Sequence, residues 1–130
     1  MQSRPSNPAG VAPPDGQFSQ AFLVPAGTGL MFISGQVPRA VDGSTVGVGD
    51  MRAQAEQVFA NLAAILAAHG SCFAKAIKAT IFVTDMSRAD QVTEVRARYY
   101  GPAAPASTFV EVTQLGDPAW LLEVELVAEI

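Results

Sequence analysis

The sequence predicts an α+β fold in which two helices cover one face of a single β-sheet. Apolar residues recur with helical spacing in residues 51–69 and again in residues 87–99. In residues 77–83 and 120–129 they alternate instead with the period of a strand. A chain of 130 residues has room for one compact core, so these elements belong to one domain.

The N-terminal part is expected to be extended and then to form hairpins. Prolines and glycines exclude a helix or a central strand from residues 1–16, which we treat as an extended arm before a single domain at 17–130. The β-compatible residues 18–24, a Pro-Gly turn and the apolar run 30–33 then predict a hairpin, and Asp42-Gly43 predicts a smaller one. Because the run 30–33 has no polar alternation, both of its faces should be covered, one by helices and the other by a partner subunit.

The ends of the helices carry recognisable signals. Asp50 is placed to cap the first helix, and Gly70 follows it as a C-terminal glycine. Ser87 with Asp90 three residues later resembles a capping box that opens the second helix. Two more strands are expected, at 108–113 and at 120–129.

The composition favours self-association. Half of the chain (49%) is hydrophobic and only 15% is charged, against roughly 25% charged residues in an average soluble domain. A domain of this size hides only about two-thirds of the surface of its unfolded chain. We therefore expect part of the remaining apolar surface to be covered by other copies of the chain.

The charge and the reactive residues exclude several classes of function. The net charge is −4, and Lys75 and Lys78 are the only lysines, so a nucleic acid partner is not expected. Cys72 and His69 are the only residues of their kinds, which excludes an internal disulfide and a Cys/His metal site. No run is long and apolar enough for a membrane span. We expect a cytoplasmic protein without a cofactor, since a free thiol fits a reducing compartment.

Several separated motifs form a combined pattern along the chain. In order, they are Phe18-Ser-Gln-Ala21, Ser34-Gly-Gln36, the stretch 54–70 with Asn61-Leu62, the segment 78–86, Pro105-Ala106 before 110–112, and Glu123-Val-Glu125. With them the chain resembles the reactive intermediate deaminase family, also called RidA or YjgF-like. The resemblance implies a chorismate-mutase-like fold with a single mixed β-sheet and two helices packed on one face. It also implies a homotrimer with small-molecule sites in the clefts between subunits.

One position separates this chain from the deaminating branch of that family. In that branch an arginine follows the Pro-Ala pair and holds the carboxylate of a 2-imino acid while water hydrolyses the C=N bond. Ser107 stands at that position here. A hydroxyl carries no charge and cannot form the bidentate pair of an arginine with a carboxylate. The resemblance therefore implies a divergent branch that is not a standard 2-imino acid deaminase.

Other pocket positions are partly changed and partly retained. Phe18 stands where the family often has tyrosine, Thr93 where it often has asparagine, and Phe109 where cysteine is common. Gly35 and Glu123 are retained. The two phenylalanines would make the cleft more apolar than a deaminase pocket, although filling the core is the commoner role of aromatic residues.

The candidate site residues have different expected roles. Glu123 is the candidate catalytic carboxylate, because it falls where the family has a cleft glutamate that orients water; an ordinary outward-facing charge is the alternative. Ser107 and Thr108 are candidate ligand-binding hydroxyls, although both also suit the start of a strand. Arg96 follows Thr93 by three residues on the second helix, so the two share a helical face, and its guanidinium could partly replace the missing arginine. The alternative for Arg96 is an aliphatic stem on apolar surface with the charge in water.

Three classes of function remain open from the sequence. The first is an enzyme that hydrolyses an imine, an enamine or a related small molecule, with Glu123 positioning water. The second is a non-catalytic trimer that binds a small metabolite. The third, an endoribonuclease activity attached to relatives, is the weakest here because the chain is acidic and lacks a cluster of His, Lys and Arg.

Overall fold

The computed structural model describes residues 2–130 and contains six strands and two α-helices. In chain order these are β1 (Arg4–Ser6), β2 (Ala21–Leu23), β3 (Leu30–Gln36), α1 (Met51–Ala68), β4 (Ala76–Val83), α2 (Ala89–Tyr99), β5 (Ala106–Glu111) and β6 (Leu122–Glu129). Among the helices of this described part, none has the length and apolar character needed to cross a bilayer.

Four of the strands form a mixed sheet in the order β3-β6-β4-β5. β4 and β5 are parallel, joined by the crossover through α2, whereas β6 runs antiparallel to both β3 and β4. The predicted fold class, α+β with two helices packed on one face of a mixed sheet, is therefore confirmed.

The core lies between the helices and the inner face of this sheet. Buried and less buried positions alternate over residues 77–83 of β4 and along β6, which directs one set of side chains toward the helices, as the period of the sequence predicted. The fully buried members on the helices and the central strands include Val58, Phe59, Leu62, Ala79, Ile81, Val83, Val92, Val95, Leu122 and Val124. α1 contributes the longest apolar stripe, and its packing fixes the position of the sheet.

The outer face of the sheet is partly apolar and is uncovered in the single chain. Phe32 is 77% exposed, while its neighbour Ile33 points inward and is 7% exposed. Leu30 and Val110 also leave more than a third of their surface open on strands of this sheet. Covering such an apolar patch is favourable, because it removes apolar surface from water.

The predicted first hairpin is wrong. β2 does not pair with β3; it pairs antiparallel with β1, where Pro5 lies opposite Phe22, and β3 pairs instead with the C-terminal strand β6. The extended N-terminal arm supplies β1 as the partner of β2. A proline, which lacks an N–H donor, is tolerated in β1 because this strand lies at the edge of a two-stranded sheet. The smaller turn at Gly43 does close a bridge between Arg39 and Thr45.

The helix caps are partly as predicted. Asp50 caps α1 by accepting a hydrogen bond from the Ala53 N–H at 3.0 Å, and Gly70 takes the positive φ of +71° that a C-terminal glycine provides. The predicted capping box at Ser87 is wrong. Asp85 accepts from both the N–H and the hydroxyl of Ser87 and begins a short 3₁₀ turn from which α2 continues.

Candidate functional site

Glu123 and Gly35 form the first group of candidate site residues. Glu123 lies on β6 with its side chain on the outer face of the sheet, opposite Phe82 of β4. A Cβ atom on Gly35 would lie 2.7 Å from the carboxyl carbon of Glu123, so the carboxylate sits against bare backbone. The strand bulges here, where pairing with β6 shifts between Ile33 and Gln36. Only glycine leaves the space that this carboxylate occupies.

Arg96 is the centre of the second group, which lies on the helix side of the sheet. It is only 7% exposed. Its Nε donates a hydrogen bond to Oε1 of Gln17 at 2.9 Å. The guanidinium carbon lies 5.5 Å from the ring centre of Phe109 and 5.9 Å from that of Tyr100. Arg96 is thus held by aromatic faces and one neutral acceptor, and does not point into solvent.

The loop before β2 joins this group because it is tied to the start of β5. The Ser19 hydroxyl donates to the Ala104 carbonyl at 2.6 Å, and its N–H donates to the Pro105 carbonyl at 3.1 Å. These bonds bring Gln17 and Phe18 alongside the strand. A cavity of about 390 Å³ opens beside them, lined among others by Gln17, Phe18 and Tyr100.

Burial perturbs the ionisable groups of the second group. Burial lowers the pKa of Arg96 from its ordinary value, an effect that the neighbouring Tyr100 opposes. Burial also raises the pKa of Tyr100 to about 12, with the Arg96 charge acting in the other direction. Tyr100 therefore keeps its proton at neutral pH, and an arginine guanidinium stays protonated in proteins. The Tyr100 hydroxyl and the Ser107 Oγ are buried, and neither has a hydrogen-bond partner in residues 2–130.

The structure brings some predicted site residues together and separates others. Ser107 and Phe109 face the helices, since they pair with Ala79 and Ile81 of the core face, and Thr93 lies partly buried one turn before Arg96. Thr108 points to the opposite face, where it is exposed and accepts a hydrogen bond from Lys78 Nζ at 3.1 Å.

Glu123 lies on the outer face as well, so within one chain the sheet itself stands between Glu123 and Ser107.

The sequence analysis did not identify Gln17 and Tyr100 as site residues. The available signals were that Gln17 adjoins Phe18 and that Tyr100 follows Arg96 by four residues, one turn along the helix. Within residues 2–130, no group of three or more His, Cys, Asp and Glu side chains could hold a metal ion.

Comparison with known proteins assigns the family. The family model described as Endoribonuclease L-PSP matches residues 9–130. Protein DfrA of Myxococcus xanthus is 44% identical over 102 residues, covering 77% of this chain and 76% of that protein.

Solved structures agree with this assignment. The Rid family protein YyfB of Yersinia pestis, of unknown function, superimposes with a TM-score of 0.90 at 30% identity over the whole of both chains. TdcF of E. coli with bound serine gives a TM-score of 0.71 at 28% identity, over 91% of each chain. The chain therefore belongs to the Endoribonuclease L-PSP family, the family of the RidA and YjgF-like proteins.

Proposed function

We propose that the protein acts as a homotrimer whose small-molecule sites lie in the clefts between subunits. The observation that carries this proposal is the separation of the two groups of site residues. Glu123 and Gly35 lie on the outer face of the sheet, whereas Ser107 and Phe109 lie on the helix side. A single site that uses both groups needs two chains, one contributing each group.

The exposed apolar patch supports the same assembly. Phe32 is 77% exposed on the outer face, next to the strand that carries Glu123. Covering this patch with a second copy buries it and brings the partner's surface close to the carboxylate.

The binding of serine by the relative TdcF supports a small organic molecule as the ligand. The acidic net charge of −4 also favours such a ligand over a nucleic acid, and a reducing, cytoplasmic location stays a prediction.

The proposed reaction is hydrolysis of a small imine, enamine or related molecule. Water adds to the carbon of the C=N bond, its protons pass to nitrogen, and the products are a carbonyl compound and ammonia or an amine. The Glu123 carboxylate would accept a hydrogen bond from that water and orient it. Ser107 cannot supply the charge of the family's arginine. Simple 2-imino acids are therefore not expected to be hydrolysed as fast as by an arginine-bearing relative.

A non-catalytic binding protein is the second candidate. It is favoured by the chemistry of the Arg96 group. An arginine guanidinium stays protonated in proteins, and burial raises the pKa of Tyr100 to about 12, so neither can act as a base at neutral pH. Glu123 is then the only candidate base among the predicted site residues, and it contacts bare backbone at Gly35.

One assay separates the two candidates. Imino acids are generated by an amino-acid oxidase in the presence of the protein, and release of the 2-oxo acid and ammonia is followed. Hydrolysis that is faster than the uncatalysed rate and is lost in Glu123→Gln supports the enzyme. Ser107→Arg should raise the rate for simple 2-imino acids. No acceleration for any imine or enamine tested, together with ligand binding, supports the binding protein.

A further inference from the structure

A separate cavity of about 430 Å³ lies where the N-terminal strands β1 and β2 meet the end of β6. Ser3, which precedes β1, Phe22 of β2 and Glu129 of β6 all line it. Glu129 shares the outer face of the sheet with Glu123 but lies six residues further along β6, about 20 Å away at the rise of a strand. Among the lining residues, only Ala103 also lines the cavity of about 390 Å³ described above. The cavity therefore belongs to neither group of candidate site residues.

Two polar side chains that line this cavity have a buried atom without a hydrogen-bond partner. These atoms are Oε1 of Glu129 and Oγ of Ser3, and neither has a partner in the described chain. None of the ion pairs within residues 2–130 includes Glu129. Unpartnered buried polar atoms are rare in folded proteins, and a carboxylate oxygen can only accept a hydrogen bond. The Glu129 oxygen therefore calls for a donor.

Two hydroxyl oxygens add to this acceptor. The Thr28 hydroxyl donates its own proton to the Pro25 carbonyl at 2.8 Å, so toward a ligand it can only accept. The Ser3 hydroxyl can accept as well. A primary ammonium group matches such a set, because it carries three N–H donors and a positive charge. A hydrogen bond between an ammonium and a carboxylate is also roughly twice as strong as one between neutral groups.

Most of the remaining lining is apolar. It consists of Phe22, Pro25, Ala74, Ile77 and Ala103. The exceptions are Gln2 and Lys75, and both are exposed. The flexible stem of Lys75 lets its ammonium group extend into water. Walls of this kind favour a ligand with an apolar body, and the volume suits a small molecule.

We propose that this cavity binds a small primary amine with an apolar body, whose ammonium group donates to Glu129 and to the hydroxyls of Ser3 and Thr28. The net charge of −4 attracts a cation and disfavours an anion. An anionic ligand would also bring a second negative charge beside the unpaired Glu129 oxygen. This inference goes beyond the proposed function, because no residue of this site takes part in the proposed reaction.

The test is calorimetric titration of the full chain with benzylamine, which is a cation at neutral pH, and with benzyl alcohol, a neutral molecule of nearly the same shape. We expect saturable binding of benzylamine and much weaker binding of benzyl alcohol. Glu129→Gln removes the charge with little change in volume and should weaken benzylamine binding by roughly tenfold or more. Glu125→Gln is the matched control and should leave the affinity unchanged. Glu125 lies on the same face of the same strand, but it is exposed and does not line the cavity.

Two further variants test the other polar groups. Ser3→Ala removes one proposed acceptor and should weaken benzylamine binding several-fold. It also keeps the inference testable if Glu129→Gln does not fold, which circular dichroism will show. Lys75→Met removes a like charge near the bound ammonium and should leave the affinity unchanged or raise it. Weaker binding in Lys75→Met contradicts the proposed arrangement.

Several results would overturn the inference. They are absence of benzylamine binding, equal binding of benzyl alcohol, and an unchanged affinity in Glu129→Gln. Phenylacetate, which carries a carboxylate in place of the ammonium group, should not displace benzylamine, and displacement overturns the ligand class. Glu123→Gln separates this site from the proposed reaction, because it should abolish any imine hydrolysis and leave benzylamine binding unchanged. Loss of amine binding in Glu123→Gln but not in Glu129→Gln refutes the site at Glu129.

Discussion

The buried side-chain oxygen of Gln54 accepts a hydrogen bond from the backbone N–H of Leu121 at 2.7 Å. The amide nitrogen of the same side chain donates to the carbonyls of Ala119 at 2.8 Å and Gly47 at 3.1 Å. One side chain of α1 therefore anchors the loop that leads into β6, two residues before Glu123. The position of the candidate catalytic carboxylate depends on a glutamine at the first turn of a helix.

Replacing Gln54 should destabilise the fold. Gln54→Leu keeps most of the volume but leaves two part-buried backbone groups, the Ala119 carbonyl and the Leu121 N–H, without partners. The Gly47 carbonyl keeps a hydrogen bond from the Asp50 N–H. Each group left unpaired costs about 1–3 kcal/mol, so we expect the free energy of unfolding to fall by roughly 2 kcal/mol or more. Chemical denaturation measures it. Gln57→Leu is the control, because Gln57 bonds only to Asn61 one turn away on the same helix and should have little effect. Equal losses in both variants would contradict the anchoring role.

Adding one methyl group at Gly35 should move the Glu123 carboxylate. The new Cβ would lie 2.7 Å from the carboxyl carbon and 2.9 Å from Cγ, closer than packed atoms approach. We expect Gly35→Ala to lower ligand turnover or binding by tenfold or so, as small displacements of catalytic groups do, while the protein stays folded. Gly10→Ala is the control, since nothing lies within 4 Å of a Cβ there. Full activity in Gly35→Ala would argue against a role of Glu123 in the site.

The apolar patch on the outer face predicts the oligomeric state. Phe32→Ser removes its most exposed ring and should shift the proposed trimer toward smaller species at micromolar concentration. Multi-angle light scattering measures the mass directly. Val48→Ser, which changes a residue that is 70% exposed in the loop between β3 and α1, should leave the trimer intact. A wild-type protein that is monomeric at that concentration rules out the shared cleft.

Tyr100 predicts a defined loss of stability at alkaline pH. Its pKa is raised by burial to about 12 from 10.0, so the folded state holds the phenol proton more tightly than the unfolded state does. The stability due to this proton is fully present below pH 10 and is lost as the pH rises toward 12, by up to roughly 2 kcal/mol. Tyr100→Phe should show a shallower decline than the wild type over that interval. Tyr99→Phe is the control, and equal slopes for the wild type and Tyr100→Phe would refute the assignment.

The regular elements were predictable from the sequence because local periodicity determines them. The apolar stripe of α1 and the alternation on β4 and β6 identify which side chains turn inward, whatever the strands pair with. The pairing of the strands was harder to predict from the sequence. A Pro-Gly turn between β2 and β3 suggests a local hairpin, yet β3 gains more by pairing with the long β6, far along the chain. Pairing at that distance leaves no local signal.

The candidate site was partly predictable for a similar reason. Motif order identified Phe18, Ser107 and Phe109, but it carried no information on Gln17 or Tyr100. Their contacts with Arg96 arise from how α2 lies against β5 and from the hydrogen bonds that hold the preceding loop. The burial of Arg96 was likewise not evident, since an arginine at the margin of an apolar helix face ordinarily extends into water.

The two outer strands of the main sheet also bear on how the chain avoids fibrous self-association. An open strand edge with unpaired N–H and C=O groups is a template for aggregation, particularly beside apolar surface. The open edge of β5 is partly covered, because Ser19 forms a β-bridge with Ala106 there. The edge strand β3 is interrupted by the irregular register between Ile33 and Gln36. The bulge that makes space for a carboxylate therefore also breaks the row of groups along which further chains could add.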